Sequence, residues 1–198
     1  VSLLRTDGEI GGPLWSLGDR WHLPVERGNR ILAESRYGTS SLVWADVHTG
    51  EHRLLDCGLT SFSIQDYRAG TALLIGGSAQ RVNGLYTFDL ASRELLPVAL
   101  SNSRLAHVDH YPNAELREFD GIPAVVYPPR SPRFSGPAGE APPYVAFVHG
   151  GPTGQAVPMV SAHHAYFTSR GIGVVDYVRR VEEAIIRLLT HYGLHAGR

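Results

Sequence analysis

The stretch 142–155, PPYVAFVHGGPTGQ, carries an apolar run into a His-Gly-Gly-Pro turn formed by His149, Gly150, Gly151 and Pro152. A glycine turn at the end of a strand exposes backbone N–H groups and lets a ligand atom approach them closely. Donors of this kind stabilise the negative charge that develops on a carbonyl oxygen during acyl transfer, and one such donor is worth about 3 kcal/mol. That chemistry also requires an activated nucleophile. The sequence contains no Gly-x-Ser-x-Gly; its nearest approach, GGSAQ at 76–80, ends in Gln80 rather than glycine.

Other residues invite chemical readings that their settings weaken. His107, Asp109 and His110 fall close together in HVDH, and His163-His164 adds two more imidazoles. Adjacent histidines on a helix point in different directions, so a His-rich surface accounts for them better than a zinc site does. Cys57 is the only cysteine, which rules out an intrachain disulfide and a cysteine-rich metal site. It follows a strand-like run with no evident base nearby, so it reads as a packed thiol rather than a nucleophile. Trp15, Trp21 and Trp44 read as sheet packing. No metal or organic cofactor is expected.

The elements around the turn fall into two kinds. Between Trp21 and Val98 the chain reads as short strands and turns, and Leu42/Leu85, Asp46/Asp89, Val47/Leu90 and Glu51/Glu94 each match at a spacing of 43 residues. A period of about 40–45 residues built from four strands marks a β-propeller blade. In each repeat a polar turn, DVHTGE or DLASRE, links the third and fourth strands.

Beyond Ser101 the grammar changes. Asp120-Gly121 between two strand-like runs predicts a hairpin, and the Pro-, Gly- and Ser-rich stretch 128–143 predicts an extended loop. YVAFV at 144–148 is apolar at every position, which predicts a strand buried on both faces. Residues 159–170 predict a helix with Met159, Ala162, Tyr166 and Phe167 on one face and Gly171 as its cap. IGVVD at 172–176 predicts a second buried strand, parallel to the first. Residues 177–193 predict an amphipathic helix with Val178, Val181, Ile185, Leu188 and Tyr192 at helical spacing.

Composition narrows the class. With 198 residues, 43% hydrophobic and 19% charged, the chain should build a packed core. A formal net charge of -1 and no basic stripe argue against nucleic acid as a partner. No apolar run reaches the length of about 20 residues needed to span a bilayer, and no signal-peptide pattern opens the sequence, so the expectation is a cytoplasmic protein. The start at Val1, within structured-looking sequence, is what a fragment would give.

The run YVAFVHGGPTGQ, the following YFTSRGIGVVD and the repeats before them together resemble the prolyl oligopeptidase family of serine peptidases, on its acylaminoacyl-peptidase and dipeptidyl-aminopeptidase branch. The resemblance implies incomplete propeller blades over residues 1–100 and a partial α/β-hydrolase domain over 101–198. It implies hydrolysis of short peptides, with the Gly151 N–H as oxyanion donor and His149, Gly150 and Pro152 shaping its loop. The terminal helix is similar to one that ends that family's hydrolase domain. In the family, however, a nucleophile elbow, an acid and a histidine lie between the strand matching IGVVD and that helix, whereas here Asp176 runs straight into Tyr177. None of the ten histidines occupies the catalytic position. The chain alone is therefore expected to be inactive as a peptidase. The alternative is a non-catalytic binding module that takes a partner, or forms an oligomer, through open sheet edges.

Overall fold

The computed structural model describes residues 7–12, 18, 20–102, 108–148, 150, 155–177 and 193. The chain divides into two compact units, Val1–Val108 with Val157–Ser161, and Asp109–Ala156 with Ala162–Arg198.

The first unit contains two antiparallel meanders of four strands each. Strands β1 (His22–Val25), β2 (Arg30–Tyr37), β3 (Thr39–Asp46) and β4 (His52–Leu55) pair in chain order, as do β5 (Ser61–Arg68), β6 (Thr71–Gly77), β7 (Gly84–Asp89) and β8 (Leu95–Leu100). The 43-residue period corresponds to one meander. Its clearest expression is the turn after β3 and after β7. Asp46 Oδ1 accepts the N–H groups of His48 at 2.8 Å and Thr49 at 3.0 Å. Asp89 Oδ1 accepts those of Ala91 at 3.0 Å and Ser92 at 2.7 Å. These backbone donors hold both carboxyls below the usual carboxylate range. The turns close alike, with Gly50 N donating to Asp46 O and Arg93 N to Asp89 O, and both residues are left-handed, at φ 74° and 63°. Glycine takes that conformation freely; arginine does so at a steric cost.

One apolar cluster joins the meanders. Leu32, Leu42 and Leu55 of the first sheet share it with Phe62, Ile64, Leu74, Tyr86 and Phe88 of the second. The strands alternate as a core-facing sheet should, so that Ala33, Val43 and Ala45 form a separate cluster on the far side of the first sheet. Gly76 is fitted to its place: a Cβ there would lie 2.6 Å from the Phe62 Cα. Residues 157–161 belong to this unit. Val160 N donates to Ser78 O at 2.8 Å, Thr60 Oγ1 donates to Pro158 O, and Met159 lies against Gly77.

The second unit is a mixed sheet. Strands β9 (Glu115–Phe119), β10 (Ile122–Tyr127), β11 (Tyr144–Val148) and β12 (Gly173–Tyr177) stand in the order β11-β12-β10-β9. The pair β11/β12 is parallel and the others are antiparallel. Asp120 and Gly121, at φ 51° and 76°, form the two-residue turn between β9 and β10 that the sequence predicts. Residues 128–143 run without regular structure and are mostly exposed, as expected of their composition. Arg130 anchors the start of this loop, donating from its N–H to Thr168 O at 3.0 Å and from Nε to Asp109 O at 2.9 Å.

Two expectations need correction here. The strand buried on both faces is β10, with Ala124 and Val126 in one cluster and Val125 and Tyr127 in the other. By contrast, Tyr144 and Val148 of β11 are 45% and 39% exposed. Among the described residues β11 is an edge strand with a hydrogen-bonded neighbour on one side only. The helix, α1, covers only Ala162–Thr168 rather than 159–170. Pro158 disfavours helix in the residue before it, and Val160 spends its N–H on Ser78, so the chain stays extended until Ser161. Of the expected face, Phe167 packs against Val125, Tyr127 and Val174, while Tyr166 is exposed beneath the Arg170 guanidinium at 3.9 Å. Gly171 caps the helix at φ 82°. The expected terminal helix lies outside the described residues, apart from Tyr177, which ends β12 rather than starting a helix, and Gly193.

Candidate active site

Of the parallel strands β11 and β12, the first ends just before the His149-Gly150-Gly151-Pro152 sequence. Their last paired residues are Val148 and Tyr177, so the chain leaves β11 at the carboxyl end of the parallel pair. Ligands of open α/β sheets bind at such ends. Gly150 is exposed there, and a Cβ on it would meet nothing within 4 Å. His149, Gly151 and Pro152, including the expected oxyanion donor, lie outside the described residues.

Aromatic and imidazole rings pack around β11. Phe147 lies 4.9 Å from the His163 ring and 6.0 Å from those of His164 and Phe167, and His164 lies 4.4 Å from Tyr127. Burial, with a smaller contribution from the charge of His163, pushes the His164 imidazole down to about 4. The paired histidines thus serve as ring-packing groups on the face of α1 nearest β11. Asp109 and His110 sit in a single 3-10 turn, where Asp109 O accepts from Arg130, and His107 lies outside the described residues. Among the described residues no three His, Cys, Asp or Glu side chains gather as a metal site would require.

The remaining candidates have structural roles. Ser78, within GGSAQ, follows β6 directly; its Oγ accepts the N–H groups of Gln80 at 3.3 Å and Arg81 at 3.1 Å and so fixes a turn. Cys57 is buried in the intersheet cluster, and desolvation pushes its thiol up to about 11, far from a reactive thiolate. Trp44 packs on Tyr67 at 5.7 Å, Trp21 carries the Arg36 guanidinium at 4.4 Å, and Trp15 lies outside the described residues.

Sequence reasoning missed one polar group. Glu34 is 1% exposed, and its carboxylate accepts from Ser40 Oγ at 2.6 Å, Arg36 Nε at 2.8 Å and Arg36 Nη2 at 3.2 Å. The available signal was Glu34-x-Arg36, which in a strand places both side chains on one face. A buried carboxylate so fully paired is a fixed part of the sheet, since removing either partner would strand a charge.

Comparison with known proteins agrees with this geometry. No protein-family model matches the chain. Among solved structures, a puromycin-hydrolysing peptidase of Mycobacterium tuberculosis matches 97% of the chain at 27% identity with a TM-score of 0.80. A puromycin hydrolase matches 89% at 32% identity with a TM-score of 0.78. A prolyl endopeptidase matches 75% at 16% identity and a TM-score of 0.52, a likeness of fold alone. The class these structures define is that of peptidases. Within it, the chain resembles the prolyl oligopeptidase family in fold, and it covers 34% and 28% of the lengths of the two puromycin-cleaving relatives. A likeness of another kind, 78% identical over 32 residues, links 16% of the chain to 12% of the octanoyltransferase of Cutibacterium acnes (strain DSM 16379 / KPA171202).

The His164 environment has a testable pH consequence. Its folded value lies below the unfolded one, so the unfolded chain binds the extra proton between about pH 6.5 and about 4, and stability falls as pH drops through that window. NMR titration should place the His164 midpoint near 4, and His164→Phe should flatten the loss of stability between pH 6.5 and 4. An ordinary midpoint near 6.5 would contradict the packed arrangement.

Proposed function

We propose that the chain carries two β-propeller blades, within residues 1–100, and the opening strands of an α/β-hydrolase domain, within 101–198, from a serine peptidase of the prolyl oligopeptidase type. The observation that carries this reading is the β11-β12-β10-β9 order with parallel β11/β12, in a chain that matches puromycin-cleaving peptidases over 89–97% of its length. The parent activity is hydrolysis of short peptides or aminoacyl amides, puromycin being the compound named for those relatives. In that reaction the Gly151 N–H donates to the developing oxyanion, and His149, Gly150 and Pro152 hold its loop.

The chain itself provides the cradle without the attacking group. Ser78 is committed to a turn, and the sequence has no nucleophile elbow. Oxyanion donors alone leave only a residual rate, with triad loss costing on the order of 10⁶ in kcat. The alternative, a binding module without catalysis, draws support from β11, which among the described residues pairs on one side only. The departure from the family order after Asp176 favours one refinement: the chain there joins directly two parts that the family keeps apart.

Two experiments test these readings. The purified chain should release no arylamine from an alanyl or acyl-alanyl arylamide above the buffer rate; sustained turnover would overturn the inactive reading. Trypsin digests of the protein from its source cells should contain the peptide 171–179, GIGVVDYVR, which crosses Asp176–Tyr177. Its absence, where peptides from both sides are found, would overturn the join.

A further inference from the structure

The connection between β11 and α1 leaves the second unit at Ala156, folds with the first over Val157–Ser161 and returns at Ala162. Two hydrogen bonds hold the middle stretch. Thr60 Oγ1 donates to Pro158 O, and Val160 N donates to Ser78 O at 2.8 Å. Between them Met159 lies against Gly77, where a Cβ would come within 2.9 Å of the methionine Cε.

Thr60 is itself fixed by both meanders. Its N–H donates to Gly77 O at 2.9 Å, and its carbonyl accepts from Ser40 N at 2.9 Å. Ser40 donates in turn from Oγ to the buried carboxylate of Glu34, which is paired with Arg36. The hydroxyl that meets Pro158 therefore ends a line of bonds through Glu34, Ser40 and Thr60. Threonine is stiff at χ1, so holding its backbone also aims its hydroxyl.

We propose that Thr60 is a positioning residue for the segment 149–156, which carries the His-Gly-Gly-Pro sequence. Along the chain that segment follows Val148, paired with Tyr177, and precedes the stretch that Thr60 holds. Fixing both ends of a loop limits its conformations before a ligand arrives. An N–H donor to a developing charge works best when its place is set in advance. That use of the segment rests on the reading of Gly151 as oxyanion donor, whereas the hold on its end does not.

Amide exchange and ¹⁵N relaxation of the full chain test the proposal. In Thr60→Val, exchange of the Val160 amide should rise about fivefold, as the loss of one hydrogen bond would give. Order parameters at Gly150 and Gln155 should fall from the value of about 0.85 typical of rigid backbone toward about 0.6, while the amides of β6 and β10 stay unchanged. Thr60→Ser keeps the hydroxyl and should leave every value as it was. Met159→Ala, outside the paired strands, should loosen Gly150 and Gln155 in the same way and decides the matter if Thr60→Val fails to fold. The proposal is overturned by Val160 exchange that Thr60→Val leaves unaltered, by loosening that Thr60→Ser reproduces, or by Gly150 and Gln155 staying unmoved when Val160 is released. None of these readouts needs turnover, so failure of the peptidase reading leaves them decisive.

Discussion

The first unit depends on a single constraint: a four-stranded meander has two faces, and neither meander of this chain can bury its apolar face without the other. Leu32, Leu42 and Leu55 are inaccessible because Phe62, Ile64, Leu74 and Phe88 share their cluster. Each large side chain so buried contributes about 1.5–3 kcal/mol, and truncating one to alanine costs about 2–5 kcal/mol through the cavity it leaves. The cluster also fixes strand register, since a slip of one residue would turn every core side chain outward. The Asp46 and Asp89 turns then follow as local solutions to the same demand, each reversing the chain so that its fourth strand can pair.

In the second unit the corresponding constraint is burial of β10 and β12 on both faces. Val125, Tyr127 and Val174 pack on the side that receives Phe147 and Phe167, while Ala124, Val126 and Val175 pack on the other. β11 runs beside β12 to Val148, the residue before the His-Gly-Gly-Pro sequence. The two histidines of α1 belong to this packing. Their rings lie among Phe147, Phe167 and Tyr127, and that packing is the burial that pushes the His164 imidazole down.

Much of this was legible in the sequence, for physical reasons that differ from element to element. The 43-residue period was readable because both turns need an acid at the same offset to accept two N–H groups. The Asp120-Gly121 hairpin was readable because few residue pairs accept two left-handed conformations. The helix at 159–170 was over-extended because periodicity cannot register that Val160 spends its N–H on Ser78, a partner 82 residues away. YVAFV misled for a related reason: an apolar run records what a strand can bury, not whether a neighbour is there to cover it. Glu34 escaped notice because its burial and its partner Ser40 come only once β2 and β3 pair.

The candidate site is thus a frame whose parallel strands end where the His-Gly-Gly-Pro sequence begins, in a chain where the serine nearest the family's nucleophile pattern is held in a turn. Intact mass after exposure to a serine-reactive fluorophosphonate tests that account most directly, because the reagent labels only a serine activated by a base and an oxyanion site. The account predicts an unchanged mass. A single stoichiometric adduct would contradict it, since an activated serine would then exist in the chain.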